Sequence, residues 1–486
     1  FGSSLLQGGR KRHSSSHLAR RLNAKMEGLN NGDTAWMAAS SALVLFMTPG
    51  LAFFYGGLVR DSSIVNTMMM SIVSMGLTTI TWLVLGFTWA FDWGWKYVGF
   101  RNLDTIWEGT TMPGYLFAVF QLTFAVIAAA IISGAVVERI RFSAYALFIV
   151  AWVMTVYVPL CNWIWGGGWI ADLGAKDFAG GTVVHISSGT SAFALASLLG
   201  ERKHRAESFP SNLPFVILGG SILWLGWTGF NGGSAFAANG DCALAIATTY
   251  IAAAAAMITW ISVERILDGA PTSVGAMSGA VAGLVNITPC AGFVEPLGAL
   301  GVGAIGALCC IFAARGLKRL NLVDDTLDCF SLHGVGGFVG SILGGFFDVS
   351  DGLLYTGNGE LLGYNLIGAS FGMFYSAMIT SCLFGGLRLF MRMRVAEEQE
   401  FEGIDLHSHS EVAYGKAVRS NKPAEEEQVG PMLLTSVAPP AARAGDALEA
   451  LDFFSHKQSC QSRQSRQSRQ SGQSRPHEER QSGQSR

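Results

Sequence analysis

The 486-residue chain reads as an all-α membrane protein, eleven transmembrane helices followed by a polar tail. Three observations predict this. Half of the residues are hydrophobic and only 14% are charged, against about 25% in an ordinary soluble domain. The charge is unevenly divided, with 33 Asp, Glu, Lys and Arg among the 358 residues from Thr34 to Met391 and 27 among the 95 from Arg392 to Arg486. The 60 glycines and 13 tryptophans suit closely packed helices with aromatic anchors at the lipid boundary. This balance excludes a soluble enzyme, a secreted disulfide scaffold and a nucleic-acid binder.

A helix needs about 20 mostly apolar residues to cross a bilayer. Stretches of that kind between polar breaks fall at 34–58, 67–91, 113–137, 143–162, 181–200, 212–235, 243–262, 271–287, 297–314, 328–347 and 365–391. The breaks after odd-numbered spans hold Arg60, Arg139, Arg141, Arg202, Lys203, Arg205, Arg265, Arg315, Lys318 and Arg319, and those after even-numbered spans only Lys96, Arg101 and Lys176. Basic loops stay inside, so the odd loops and the tail are expected in the cytoplasm and the start of the first span outside, in a membrane read as the plasma membrane.

The basic N-terminus, with Arg10, Lys11, Arg12, Arg20, Arg21 and Lys25, opposes that orientation. Residues 1–25 are therefore read as an upstream or targeting segment, with Met26 as the start. The chain then divides into a lead at 1–33, a membrane domain at 34–391 and a cytoplasmic tail at 392–486. The tail is expected to be regulatory near 400–415 and disordered from about 420, since its end repeats QSR at 461–463, 464–466 and 467–469.

Two features recur five spans apart. FYGG in the first span is matched by FNGG in the sixth, and His185 in the fifth by His333 in the tenth. An odd number of spans per repeat makes the two halves inverted. The eight cysteines show no C-x-x-C spacing and read as small core residues, so neither a metal nor a cofactor is expected.

Of nine histidines only His185 and His333 lie inside apolar spans, where an ionisable side chain is costly and faces a cavity or a partner. Two facing imidazoles can share one proton and offer their other nitrogens to a small polar molecule. They could also ligate a haem across the helices, although no C-x-x-C-H attachment motif is present. Trp163 and Trp165 precede Gly166, Gly167 and Gly168 in a loop placed outside, either as a belt anchor or as a face for a cation. Asp177 and Asp328 stand eight and five residues before the two histidines. Either can cap its helix or stabilise a nearby cation, and capping is the preferred role.

The strings MTPGLAFFYGGLVR ending at Arg60, GAVVERIRFSA from Gly134, DFAGGTVVHIS from Asp177, FNGGSAFAANG from Phe230, GAPTSVGAMSGAVAGLV from Gly269 and LHGVGGFVGS from Leu332 closely resemble the ammonium transporter family, which is related to the Rh proteins. The likeness runs from about Gly32 to Tyr414. It implies two inverted five-helix repeats plus an eleventh helix, assembled as a homotrimer with one pore per subunit. It also implies an outer ammonium site formed by Trp165, Phe124 and Ser234, a gate of Phe124 stacked on Phe230, a pore lined by His185 and His333, and a supporting carboxylate at Asp177. Gly232 stands where the family commonly has Ala, and Ser410 where its tail motif commonly has Gly.

The resemblance thus implies a transporter rather than an enzyme. It would strip ammonium of water at the aromatic site, deprotonate it and conduct ammonia, with or without a separately relayed proton, and methylammonium is a further expected substrate. A sensor signalling through the tail is the rival reading, and a cytoplasmic regulatory protein the expected partner there.

Overall fold

The structure is a computed structural model that describes residues 27–205 and 209–414. The expectations for residues 1–25, for the QSR repeats and for the tail beyond 420 lie outside the described residues.

The described chain is almost wholly helical. Ten helices are long and apolar enough to cross a membrane: α1 (Asn31–Leu58), α2 (Asp61–Phe91), α3 (Gly114–Ala135), α4 (Phe142–Leu173), α5 (Gly181–Leu199), α6 (Leu213–Gly233), α7 (Gly240–Leu267), α9 (Pro296–Leu320), α10 (Phe330–Phe347) and α11 (Glu360–Phe390). Between α7 and α9 lies a shorter apolar helix, α8 (Ser273–Ile287). Each expected span therefore has a helix, and the eighth is the short one. Local chemistry sets many of the starts. Asn30, Asn212, Asn239 and Thr272 accept from the free N–H groups of α1, α6, α7 and α8, and Pro296 opens α9 where no N–H is needed.

Two expectations about boundaries are corrected. The fourth span does not end at 162: its helix runs unbroken to Trp165 before Gly166 interrupts it, because Asn162, polar in sequence, is spent inside the protein on the Ala90 carbonyl at 3.0 Å. Trp163 and Trp165 therefore sit on a helix end and not in the loop. The second span begins at Asp61, six residues early, because Asp405 of the tail accepts from the Val65 and Asn66 amides at 2.9 and 2.7 Å.

Two antiparallel helix pairs organise the core. In the first, α1 lies on α6 with almost no side chain between them. A Cβ on Gly57 would meet the Asn212 carbonyl at 2.5 Å and one on Gly229 the Ser40 backbone at 2.9 Å, and the Trp36 indole donates to Gly232 O at 3.2 Å. In the second, α5 crosses α10, with Gly337 against the Gly181 carbonyl, Gly189 against Gly334 and the Phe193 and Phe330 rings 4.6 Å apart. Small residues allow such approach where lipid supplies no hydrophobic drive. A Cβ on Gly189 would overlap the Gly334 backbone nitrogen, so Gly189→Ala is expected to destabilise the protein by about 1–3 kcal/mol through overpacking. Thermal unfolding in detergent checks this, and an unchanged melting temperature would refute it.

Two short tail helices, α12 (Glu397–Glu402) and α13 (Ile404–His409), dock on the loops after the first and fifth spans. Glu400 pairs with Arg394 at 2.7 Å and accepts from the Lys203 amide, while Arg60 donates to the Glu400 carbonyl at 2.7 Å. Tyr414 accepts from Asn212 at 2.7 Å. Ser410, the departure noted above, ends α13 in the left-handed region at φ 57°, which costs an L side chain roughly 1–2 kcal/mol and glycine much less. Ser410→Gly is therefore expected to fasten the tail by up to about 1 kcal/mol, read as slower hydrogen exchange over residues 397–409.

Candidate functional site

Beneath these loops a buried ion cluster fixes the ends of four spans. Glu138 binds Arg60 at 3.2 Å and Arg202 at 2.5 Å, and Asp324 binds Arg202 at 2.9 Å. Burial alone would raise the Asp324 carboxyl, but the Arg202 guanidinium outweighs it and holds it down at about 2. Arg139, fully buried, donates to the Asp324 and Gly200 carbonyls and to Thr326. This cluster positions the start of α10.

At the far end, a cavity of about 720 Å³ opens between α3, α4 and the segments before α5 and α7. Trp165, Phe124, Ser234 and Asp177 all line it. Trp165 is held by its indole N–H, which donates to the Asp177 carbonyl at 2.9 Å. The Phe124 ring lies 5.9 Å from Trp165, edge to face. Ser234 donates to the Phe230 carbonyl at 2.8 Å, which leaves its oxygen lone pairs for an incoming donor.

From that floor a column of rings descends. Phe124 lies on Phe230 with centroids 4.2 Å apart and planes 33° apart, a contact that leaves no room for water between them. Phe230 is stacked on His185 at 5.8 Å, and His185 Nδ1 meets His333 Nδ1 at 3.1 Å. Past His333 the space is a narrow apolar slot bordered by Met47, Leu51, Ile127, Leu223 and Val281. The slot offers about 10 Å³ to the centre of a water-sized molecule, room for about one such molecule.

One proton must lie between the two Nδ1 atoms, so one ring is left with Nε2–H as a donor and the other with Nε2 as an acceptor. His185 Nε2 is buried with no hydrogen-bond partner, a costly state unless a guest molecule relieves it. Both histidines stand in π-helical turns, Gly181–Ile186 and Phe330–Val335, a local widening common at functional sites.

The carboxylates that start these turns are Asp177 and Asp325. Asp177 accepts from the N–H groups of Gly180, Gly181, Thr182 and Val183 at 2.6–3.2 Å, and burial raises its carboxyl against those four donors. Asp325 accepts from the Cys329 and Phe330 amides at 3.0 and 2.7 Å, with burial pushing it up to about 7. This corrects the expectation for Asp328, whose carboxylate turns outward to Lys318 at 2.6 Å. Asp325 precedes His333 by eight residues, the spacing of Asp177 and His185. That repeated interval was the signal that could have found it.

Two more residues belong to the column. Trp227, one turn before Phe230, stacks on His185 at 5.5 Å and 18° and is anchored by Thr288 at 2.9 Å. Gln121, one turn before Phe124, lines the aromatic cavity with its buried carbonyl oxygen unpartnered. Their i−3 positions relative to the two phenylalanines are the only trace of this in the sequence.

Among the described residues no group of His, Cys, Asp and Glu could hold a metal ion. The two imidazoles also meet edge on through Nδ1, which leaves no gap between them for a haem.

The family model described as Ammonium Transporter Family matches residues 35–414. An ammonium transporter of Bacillus subtilis is 44% identical over 401 residues, spanning 79% of this chain and 98% of the relative. Among solved structures, Mep2 of Candida albicans superposes with a TM-score of 0.73 at 31% identity, over 78% of this chain and 88% of that one. A structure named Sensor Amt Protein does so with a TM-score of 0.73 at 27% identity, over 80% and 99%. The curated relatives are transporters and not enzymes, and with a family model matched over residues 35–414 the chain belongs to the ammonium transporter family.

Proposed function

We propose that this chain transports ammonium by recruiting the cation at Trp165, Phe124 and Ser234, deprotonating it at the Phe124–Phe230 contact and passing ammonia along His185 and His333. The observation that carries this reading is the unbroken column from an open aromatic cavity to a histidine pair with an unpartnered, buried nitrogen. A cation is attracted to the Trp165 and Phe124 faces by about 0.5–2 kcal/mol. Carrying its charge past the closed rings would cost several kcal/mol or more, and loss of one proton removes that cost.

The chemistry separates ammonium from potassium, a cation of similar size that has no proton to give up. The N–H bond breaks heterolytically, the electron pair stays on nitrogen, and ammonia enters as both donor and acceptor. It can therefore satisfy the acceptor Nε2 of one histidine and the Nε2–H of the other. The proton either returns to the outer water, giving a silent ammonia channel, or crosses separately through the shared Nδ1 site, giving net ammonium transport. Currents evoked by ammonium in a planar bilayer identify the second; alkalinisation without current identifies the first.

The architecture proposed with it is two inverted five-helix repeats plus α11, counting α8 as a full span. The antiparallel pairs α1–α6 and α5–α10 and the equal Asp–His intervals support that symmetry. A homotrimer in the plasma membrane, N-terminus outside and C-terminus in the cytoplasm, completes the reading, as do a membrane domain over 34–391 and a regulatory segment near 400–415. Methylammonium is a second proposed substrate, and a cytoplasmic protein the proposed partner of the tail.

Growth of a transporter-deficient microbe on low ammonium tests function and site together. Rescue by the native chain and its loss in the Trp165→Ala and His185→Ala/His333→Ala variants are expected. Rescue by all three would reject the proposed site. The likeness to a Sensor Amt Protein favours sensing as the second reading, which predicts substrate binding without flux.

A further inference from the structure

At the opposite face of the protein from the aromatic cavity, the end of α11 leaves the bundle beside the end of α5, and a cavity of about 640 Å³ lies between them. Three arginines line it, Arg388, Arg392 and Arg394, together with Leu198, Leu389 and Phe390. Arg394 is committed to Glu400 and to the Leu199 carbonyl. Arg388 and Arg392 make no hydrogen bond or ion pair with another described residue, and both are exposed. Two cations without a partner among the described residues therefore line one cavity.

The apolar surroundings say what kind of anion belongs there. Leu389 and Phe390 are 81% and 88% exposed, at the last turn of a helix whose earlier turns present Ile367, Phe374 and Met378 outward. A water-borne anion gains nothing from such a rim. A molecule with an anionic head and acyl chains satisfies both halves, the head against the guanidinium forks and the chains along α11. The cavity also adjoins Gly200 and Arg394, on the basic side of the protein, where juxtamembrane arginines meet anionic headgroups.

We infer that Arg388 and Arg392 form a binding site for the headgroup of an anionic phospholipid at the inner end of α11. The site is separate from the pore and stands whether or not the pore mechanism holds.

The test uses the full chain in detergent, with bound lipid counted by native mass spectrometry against phosphatidylserine and phosphatidylcholine. Phosphatidylserine is expected to bind several-fold more tightly, and Arg388→Gln/Arg392→Gln to lose about fivefold for each arginine removed. Arg388→Lys/Arg392→Lys, which keeps the charge, is expected to retain most of the preference. Arg319→Gln, which removes an exposed charge at the end of α9, is expected to leave it unchanged. Equal binding of the two lipids, or an unaltered preference in the double glutamine variant, would overturn the proposal. So would an equal loss in Arg319→Gln, which would mean diffuse attraction, or displacement of phosphatidylserine by equimolar inorganic phosphate, which would assign the arginines to a soluble anion.

Discussion

Asp177→Ala is expected to abolish transport and to destabilise the protein by at least about 3 kcal/mol, a large share of an ordinary folding free energy. The first four N–H groups of a helix have no partner within it, and here all four converge on one buried carboxylate, Gly180 and Gly181 on Oδ1, Thr182 and Val183 on Oδ2. Alanine leaves them unpaired at the floor of the cavity, with no side-chain acceptor to replace the carboxylate. The damage reaches the aromatic cavity, because the Asp177 backbone carbonyl also holds the Trp165 indole, and reaches the histidine pair, because His185 lies in the turn that this cap begins. Asp177→Asn separates charge from shape. One amide oxygen can still serve two donors, but the NH₂ group must face the other two N–H groups, so intermediate stability is expected. Thermal unfolding in detergent and uptake into vesicles measure both variants. An Asp177→Ala protein that melts within about one degree of the parent and still transports would show that the cap is dispensable.

Much of this architecture was legible because apolar runs bounded by polar breaks are set locally. The expected fifth span, 181–200, differs from α5 by one residue. What escaped was decided by partners far along the chain or by a choice among neighbouring side chains. The polar start of α2 is helical because Asp405, some 340 residues later, completes its cap. Asn162 stays within α4 because Ala90 takes its amide. Among the three aspartates of VDDTLDCF capping propensity alone selects none, and only the eight-residue interval shared with Asp177 and His185 points to Asp325; Lys318 draws Asp328 outward, and the buried amides of Cys329 and Phe330 are left to Asp325.

The site divides in the same way. Phe230, Ser234, His185 and His333 lie in the motif strings, Trp165 and Phe124 came only with the family resemblance those strings carry, and the structure brings all six into one column. Trp227 and Gln121 came with neither, since each sits in an unremarkable apolar stretch and gains meaning only by facing His185 or the aromatic cavity.

The histidine pair gives the second large effect. His185→Ala and His333→Ala are each expected to lower ammonium flux by about 10- to 100-fold, the effect of about 1–3 kcal/mol for a buried hydrogen-bonding group left without its partner. The double variant is expected to be no worse than the poorer single one. The reason is the shared proton. With Nδ1 bonded to Nδ1 at 3.1 Å, each ring fixes the tautomer of the other, so that removal of either leaves the survivor free to rotate or to change which nitrogen carries its proton. Groups that act as one unit are non-additive when removed. Independent ligands would instead give losses that multiply, to about 100- to 10,000-fold, and that outcome would reject the pair as a unit. His185→Ala also strips a ring from between Phe230, Trp227 and His333, so a change in packing has to be separated from a change in chemistry. His185→Gln keeps a donor and an acceptor at nearly the same length but cannot carry a transferable proton. If it restores ammonia passage while ammonium-evoked current stays absent, the pair relays protons; if it restores both, the imidazoles serve only as hydrogen-bonding groups.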